Sequence, residues 1–282
     1  MKQRDLTKGS ITGNLMLFAL PLMAGNLLQQ CYNIADTLIV GRFLGADALA
    51  AVGSAYTLMV FLTSIILGLC MGSSAFFSMQ FGAGNTERLK KSFFLAFVLI
   101  GMITLVLNFL VVWKLDLIIR LLQIPAEIRE LIHDYLWVIF KGIIATFLYN
   151  YFANLLRAVG NSVVSLIFLA FSAVLNIVLD LVFIIVFKLG APGAAWATVI
   201  SQGVSGVLCL LYIWKYVPEL HMKKEDWYFR KSLAGKQIGV GIPMGLQYSI
   251  TAIGTMMVQS ALNMLGSYAV AAFTAGSKIE QI

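Results

Sequence analysis

The sequence predicts an all-α polytopic membrane protein: a six-helix bundle followed by the first helix of a second bundle that repeats the first in parallel. Three observations carry this. Of the 282 residues, 60% are hydrophobic and only 12% are charged, about half the charged share of a typical soluble domain. The apolar residues give a mean hydropathy of +0.89 and collect in blocks of about twenty or more, the length of helix that crosses a hydrocarbon core about 30 Å thick. The landmarks of the first block then return 222 residues later, Pro21 as Pro243.

In order, the spans fall at residues 15–40, 49–79, 93–113, 132–156, 163–187, 193–214 and 238–265. The first run is too long, and too rich in Asn and Gln, for a cleavable signal peptide, and no small-residue cleavage pattern follows it. Pro21 lies near its start, where neighbouring helices can satisfy the carbonyl that a proline frees. The second span ends before the basic residues Arg88, Lys90 and Lys91, and the third runs to Trp113. The fourth carries Tyr135, Lys141, Asn150 and Asn154 and is closed by Arg157. The fifth stops before Lys188, the sixth opens after an Ala-Pro-Gly turn at residues 191–193, and the seventh opens on Pro243. The domain reading is a bundle over 1–214, a linker over 215–237 and the start of a second bundle over 238–282.

Charge sets the orientation. Thirteen Lys and Arg fall on the side of the N-terminus, in the loops holding Lys2, Arg4 and Lys8, then Arg88, Lys90 and Lys91, then Arg157, then Lys215 to Lys236; five fall opposite. Basic residues concentrate in cytoplasmic loops, which places the N-terminus in the cytoplasm of a multi-pass protein of the cell membrane. The net charge of +7 is thereby explained without nucleic acid. Cys31, Cys70 and Cys209 sit inside apolar blocks with no paired Cys or His, so the reading is three buried side chains rather than disulfides or a metal site.

The repeat has two landmarks in nearly one register. Leu20-Pro-Leu-Met returns as Ile242-Pro-Met-Gly, and residues 45–51 (GADALAA) return as 266–272 (GSYAVAA) at an offset of 221. Six spans separate the two starts, so both copies begin on the same side, the arrangement of a parallel repeat about an axis along the membrane normal. The second copy breaks off soon after it begins, and the expectation is a fragment holding the first bundle and the opening helix of the second, inactive by itself.

Of thirteen Asp and Glu residues, only Asp36 and Asp180 fall well inside apolar blocks. A carboxylate at a helix centre costs about 2.5–3.5 kcal/mol on the insertion scale, somewhat less nearer an end, so an idle placement is not expected. Both lie at similar depth, toward the outer end of outward-running spans. Their helical neighbours are polar: Asn26, Gln29, Asn33 and Asp36 make one stripe on the first span, and Ser172, Asn176 and Asp180 repeat every four residues on the fifth. The sixth span returns Thr198, Gln202 and Ser205 along one face. For the neutral residues singly, bridging between helices is the competing explanation.

Two carboxylates in a low-dielectric cavity cannot both stay ionised without a cation, so the pair holds a proton or Na⁺. If the site empties and refills from opposite sides, an ion gradient can drive another solute the other way. Lys141 either faces the same cavity or snorkels to an interface; Tyr135, Asn150 and Asn154 are further candidates for lining a pathway.

Taken together, Leu20–Met23, residues 33–51 (NIADTLIVGRFLGADALAA), 156–161 (LRAVGN), 175–180 (LNIVLD) and 190–198 (GAPGAAWAT) resemble the multidrug and toxic compound extrusion (MATE) transporters across essentially the whole chain. The resemblance implies twelve transmembrane helices in two six-helix lobes, of which helices eight to twelve would be missing here. It implies export of small cationic, often aromatic compounds in exchange for H⁺ or Na⁺, with no cofactor beyond the coupling ion, by a protein expected to be a monomer in a lipid bilayer. The ion-coupling roles of prokaryotic members that couple through the first lobe transfer onto Asp36, Asn176, Asp180 and Thr198, which is also where Na⁺ would sit. Some members carry a glutamate on helix seven where this chain has Thr251, amid Gln247, Thr255 and Gln259, which moves weight to the first-lobe site and leaves Thr251 as a lining residue.

Three alternatives fit less well. A lipid-linked oligosaccharide flippase would be expected to hold several Arg or Lys in its cavity, and only Lys141 is a candidate. A membrane-embedded enzyme would need catalytic groups at an interface, but no HExxH or GxSxG is present and His133 and His221 fall on opposite sides. A passive channel has no use for two buried acids.

Overall fold

The computed structural model describes residues 10–122, 124–222, 226–227 and 231–280, and among them the regular structure is helical throughout. Lys2, Arg4, Lys8, Lys223, Lys224 and Arg230, which enter the orientation count, lie outside the described residues, as does part of the linker.

The first span is α1 (Ile11–Leu44), opened by Ser10, whose hydroxyl accepts from the Gly13 N–H at 3.4 Å. Gly45, at φ 88°, turns the chain directly into α2 (Ala46–Gly82); that positive φ is open to glycine and strained for a side chain. α3 (Thr86–Trp113) starts at Asn85, whose side chain caps the Arg88 N–H at 3.1 Å. A short α4 (Leu115–Leu121) lies across the turn before the fourth span. That span is two helices, α5 (Arg129–Lys141) and α6 (Ile143–Ala158), bent by 50°. The bend falls at Gly142, where a Cβ would run into the Val199 side chain; glycine is among the few causes of a sharp helix kink. α7 (Ser162–Leu181) widens into a π-helical stretch at Val182–Val186, directly after Asp180. α8 (Ala191–Tyr216) carries proline in its first turn, where a missing N–H costs nothing. α9 (Lys231–Asn263) and α10 (Ser267–Glu280) complete the described chain.

Five single helices, α1, α2, α3, α7 with its π stretch, and α8, are long and apolar enough to cross a membrane, and the bent α5–α6 pair makes a sixth crossing. α9, expected as the seventh, is continuous over 33 residues but is not among them: the amides and hydroxyls of Gln247, Thr251, Thr255 and Gln259 and several glycines dilute its apolar character. Large apolar side chains such as Leu105, Val106 and Phe109 on α3 point outward, as they do when hydrocarbon rather than water surrounds a helix. Cys70 and Cys209 are buried, but Cys31 is exposed on α1, because that helix turns most of its surface away from the bundle.

An aromatic knot holds α2, α3 and α6 together. Tyr151 stacks on Phe93 with ring centroids 5.7 Å apart, meets Phe97 at 5.3 Å and Phe77 at 6.4 Å, and donates its hydroxyl to the Phe93 carbonyl at 2.6 Å. The hydrogen bond satisfies the one polar atom of a side chain that is otherwise buried among rings.

α9 packs antiparallel along α2 on a seam of small residues. Gly68 faces the backbone of Gly245, Gly72 faces Gly241, and the Ser64 and Ser249 hydroxyls lie 3.2 Å apart. At the Gly45 end the seam becomes polar. Gln259 donates to Ser54 at 3.1 Å and to Asn263 at 3.0 Å, and Asn263 donates to the Leu122 carbonyl at 2.8 Å. Asn263→Ala should lower stability by about 1–3 kcal/mol, because it strands the Leu122 carbonyl and the Gln259 amide in a buried setting; an unchanged melting midpoint in detergent would show that the cluster contributes nothing.

Candidate functional site

The two acids of the apolar blocks meet, Asp180 buried and Asp36 half-buried. The Asp36 carboxyl, on α1, lies close beside that of Asp180, on α7. Two carboxyl groups can share a hydrogen bond only if one of them holds a proton, since an ionised carboxylate accepts and cannot donate. If both are ionised, a cation must lie between them. Asp180 and Asn176 are 0% and 1% exposed, so the charge cannot be passed to water.

Asn176 and Asp180 are one helical turn apart, and Thr198 reaches the same point from α8. Oriented to satisfy both ends, the Asn176 amide donates to Asp180 Oδ2 at 2.9 Å and accepts from the Thr198 backbone N–H at 3.1 Å; turned over, it reaches only Thr198 Oγ1, at 3.3 Å. Thr198 Oγ1 donates to the Ala194 carbonyl at 3.1 Å. Asp180 Oδ1 is buried and accepts no hydrogen bond among the described residues. That orphaned oxygen, with Asp36 and the Thr198 hydroxyl close by, is a set of oxygen donors that fits a proton or Na⁺, while the Asn176 N–H steadies the other Asp180 oxygen. No cluster of three or more His, Cys, Asp or Glu suited to a transition metal occurs among the described residues.

Two cavities flank this centre. The larger, ≈ 390 Å³, is lined by Asn26, Gln29, Asn33, Asn150, Thr198 and Gln202 among others, which is where the polar stripes of α1 and α8 converge. The second, ≈ 160 Å³, is lined by Asp36, Asn33, Tyr135 and Thr198, and by Thr255 and Gln259 of α9 and Thr274 and Ser277 of α10. Ser172 lines a small pocket of ≈ 20 Å³ with Gln29, Tyr149 and Gln202, room for about one water molecule.

Three expected lining residues lie elsewhere. Lys141 sits at the α5–α6 bend on the outward face, its Nζ 3.3 Å from the centroid of the Trp137 ring; the kink turns it away from the cavity, and stacking on the indole keeps the charge near a favourable partner. Lys141→Gln should therefore leave transport within about twofold of wild type, and a larger loss in an efflux assay would return Lys141 to the pathway. Asn154 lines none of these cavities: its side-chain amide donates to the Asn150 backbone carbonyl at 2.8 Å on its own helix, while its backbone carbonyl accepts from the Ser74 hydroxyl of α2 at 3.0 Å. Thr251 is exposed and donates to the Gln247 carbonyl at 3.3 Å on its own helix. Ser205, buried on α8, donates to the Phe168 carbonyl at 3.3 Å and likewise bridges helices.

Other residues escaped the sequence reading. Tyr32 and Tyr56 line both larger cavities, beside Thr198. Arg157 lines the larger cavity, its Nε donating to Ser165 Oγ at 3.1 Å. Tyr32 stands one residue before the Asn33 stripe and was hidden by its apolar ring; Arg157 was absorbed into the loop count.

An all-helical, multi-pass membrane protein with a buried polar centre and a drug-sized cavity beside it has the build of a transporter. The MatE family description matches residues 21–182, more than half of the sequence, and the chain belongs to that family of transporters, which are not enzymes. It is 34% identical over 284 residues to "Probable multidrug resistance protein YpnP" of Bacillus subtilis (strain 168), across 100% of this chain and 63% of that protein. It is 32% identical over 277 residues to "Probable multidrug resistance protein YoeA" of the same organism, across 95% of this chain and 59% of that protein. A solved structure described as the outward-facing conformation of a multidrug resistance MATE family transporter of the MOP superfamily shares the fold, with a TM-score of 0.88 at 24% identity over 99% of this chain and 62% of that one. The chain thus spans about three fifths of the length of the curated relatives it matches.

Proposed function

We propose that the protein serves as a secondary active antiporter, exporting cationic, amphipathic or aromatic compounds in exchange for H⁺ or Na⁺ by alternating access. The observation that carries this is the contact between Asp36 and Asp180, which requires a proton or a cation to exist at all. The ion would bind Asp36, Asp180, Asn176 and Thr198, and its arrival and release would set the charge beside the larger cavity. A tenfold concentration difference of H⁺ or Na⁺ is worth about 1.4 kcal/mol, and one-for-one exchange, which moves no net charge, would hold about a tenfold gradient of a monovalent cationic substrate.

Orientation, too, is inferred: the basic loops place the N-terminus in the cytoplasm of a cell-membrane protein, which reads as a monomer. A flippase for pyrophosphate-linked oligosaccharides is not favoured, since Arg157 is the single cation lining the larger cavity among the described residues. The test is efflux of a fluorescent cation from vesicles carrying the full-length protein, driven in turn by a H⁺ and a Na⁺ gradient. Efflux that follows neither gradient would rule the antiport reading out.

A further inference from the structure

Aromatic rings and basic residues collect where α3 starts, α8 ends and α9 starts, on the side of the membrane from which α1 also sets out. The chain leaving α8 is pinned there. Val217 and Leu220 are buried, the single turn at Pro218–Leu220 packs against α3, and Trp227 lies on the Phe94 ring with centroids 5.4 Å apart and planes 14° from parallel. α9 joins the same spot, its Gln237 amide donating to the Ser92 carbonyl of α3 at 2.6 Å. Trp227 nevertheless stays 63% exposed, as do Trp214 at 72% and Tyr216 at 59% in the last turn of α8. Phe94 stands at the opening of the apolar run of α3, so the Trp227 ring lies at the level where hydrocarbon gives way to headgroups, which is where exposed indoles and phenols settle.

Around these rings stand Arg88 and Lys90 near the start of α3, Lys215 between Trp214 and Tyr216 with its Nζ 5.4 Å from the centroid of the Tyr216 ring, and Lys236 in the second turn of α9. None of the four is ion-paired among the described residues, whereas the acids nearby are occupied or withdrawn: Glu87 pairs with Lys91, Asp226 is buried and Glu219 is half-buried. Arg88 precedes Phe94 by six residues, about 9 Å of helix, within side-chain reach of a headgroup zone about 5–7 Å deep. A bias of basic residues toward one side accounts for the sign of these charges, but not for their meeting exposed rings on three helices. We propose that this surface binds the headgroups of anionic phospholipids, its cations pairing with phosphate while the rings rest among the upper acyl chains. A soluble phosphate would use the charges and leave three rings facing water. The connection between the two bundles is thereby laid along the membrane surface, whatever the cavities transport.

The experiment reads the fluorescence of Trp227 in the 282-residue chain, its other four tryptophans replaced by Phe. The protein is reconstituted in phosphatidylcholine vesicles, and brominated phosphatidylglycerol or brominated phosphatidylcholine is titrated in as quencher. Phosphatidylglycerol should bind about tenfold more tightly than phosphatidylcholine, and about 1 M salt, which shortens the Debye length to about 3 Å, should erase most of that preference. Lys90→Gln, Lys215→Gln and Lys236→Gln together should bring the ratio to about one, and the same three lysines changed to Arg should keep it. Arg120→Gln with Lys188→Gln, at the opposite ends of the spans, should leave it within about twofold. A ratio near one before any charge is changed, a preference that survives the three glutamines, or one lost with the three arginines overturns the surface. So does an equal loss with Arg120→Gln and Lys188→Gln, which would reduce the effect to net charge. Cancellation of the preference by inorganic phosphate at the concentration of the headgroups would assign the cations to a free anion and also overturn the proposal.

Discussion

Asp180→Asn should abolish gradient-driven transport and at the same time raise the melting midpoint of the protein. The two effects have one cause. Asp180 is 0% exposed and in contact with a second carboxyl group, so the pair holds together only by keeping an ion. An amide at position 180 can donate to Asp36 directly, which removes the like-charge repulsion and the desolvated charge, a gain on the order of 1 kcal/mol or more. It also removes the requirement for an ion, and with it the coupling. Efflux under either gradient should fall to roughly the level of protein-free vesicles, a loss of about tenfold or more, which corresponds to only about 1.4 kcal/mol of lost coupling. Undiminished efflux in both Asp180→Asn and Asp36→Asn would sink the assignment of the pair as the coupling site, and a marked fall in stability would mean that the pair is structural.

Gly68→Val should open the seam between α2 and α9. A Cβ at Gly68 would lie against the backbone of Gly245 and only 2.8 Å from the Met244 carbonyl carbon, and backbone cannot rotate out of the way as a side chain can. Helices in lipid associate through close approach at small residues, so forcing them apart forfeits the contact along its length. Overpacking of this kind costs about 1–3 kcal/mol. The readout is oxidative crosslinking between Ser64→Cys and Ser249→Cys, positions whose hydroxyls stand 3.2 Å apart: Gly68→Val should suppress the crosslink, whereas Gly235→Val, at a glycine with open space around it, should not. Equal crosslinking in both backgrounds would show that the seam is loose.

The fold was legible because its signals are long and redundant. Apolar blocks of membrane length need no partner to be recognised, and Asp36 and Asp180 stood out because a buried acid in such a block is costly. Their meeting was legible too, through matched depth and the four-residue spacing of Asn176 and Asp180. What sequence could not supply was rotation. Lys141 and Arg157 are both cations on the fourth span, yet a bend at Gly142 turns the first outward while the second lines the cavity. Asn150 and Asn154 are one turn apart on α6, and only the first lines the cavity. Tyr32 and Tyr56 carry a polar atom on a ring that reads as apolar, so the layer they form between the two cavities left no trace in the pattern.

The two acids differ in how the outside world reaches them. Asp36 borders a cavity, whereas Asp180 is sealed, with Ile184 of the π-helical stretch buried immediately beyond it. The pair is thus a room with one door. Under the proposed coupling, an ion arriving by way of the cavity would meet Asp36 first and leave past it last, so exchange at Asp180 would be a second step that cannot outrun the first. A substitution at the door changes how fast the site fills, and one at the sealed acid changes how firmly it holds.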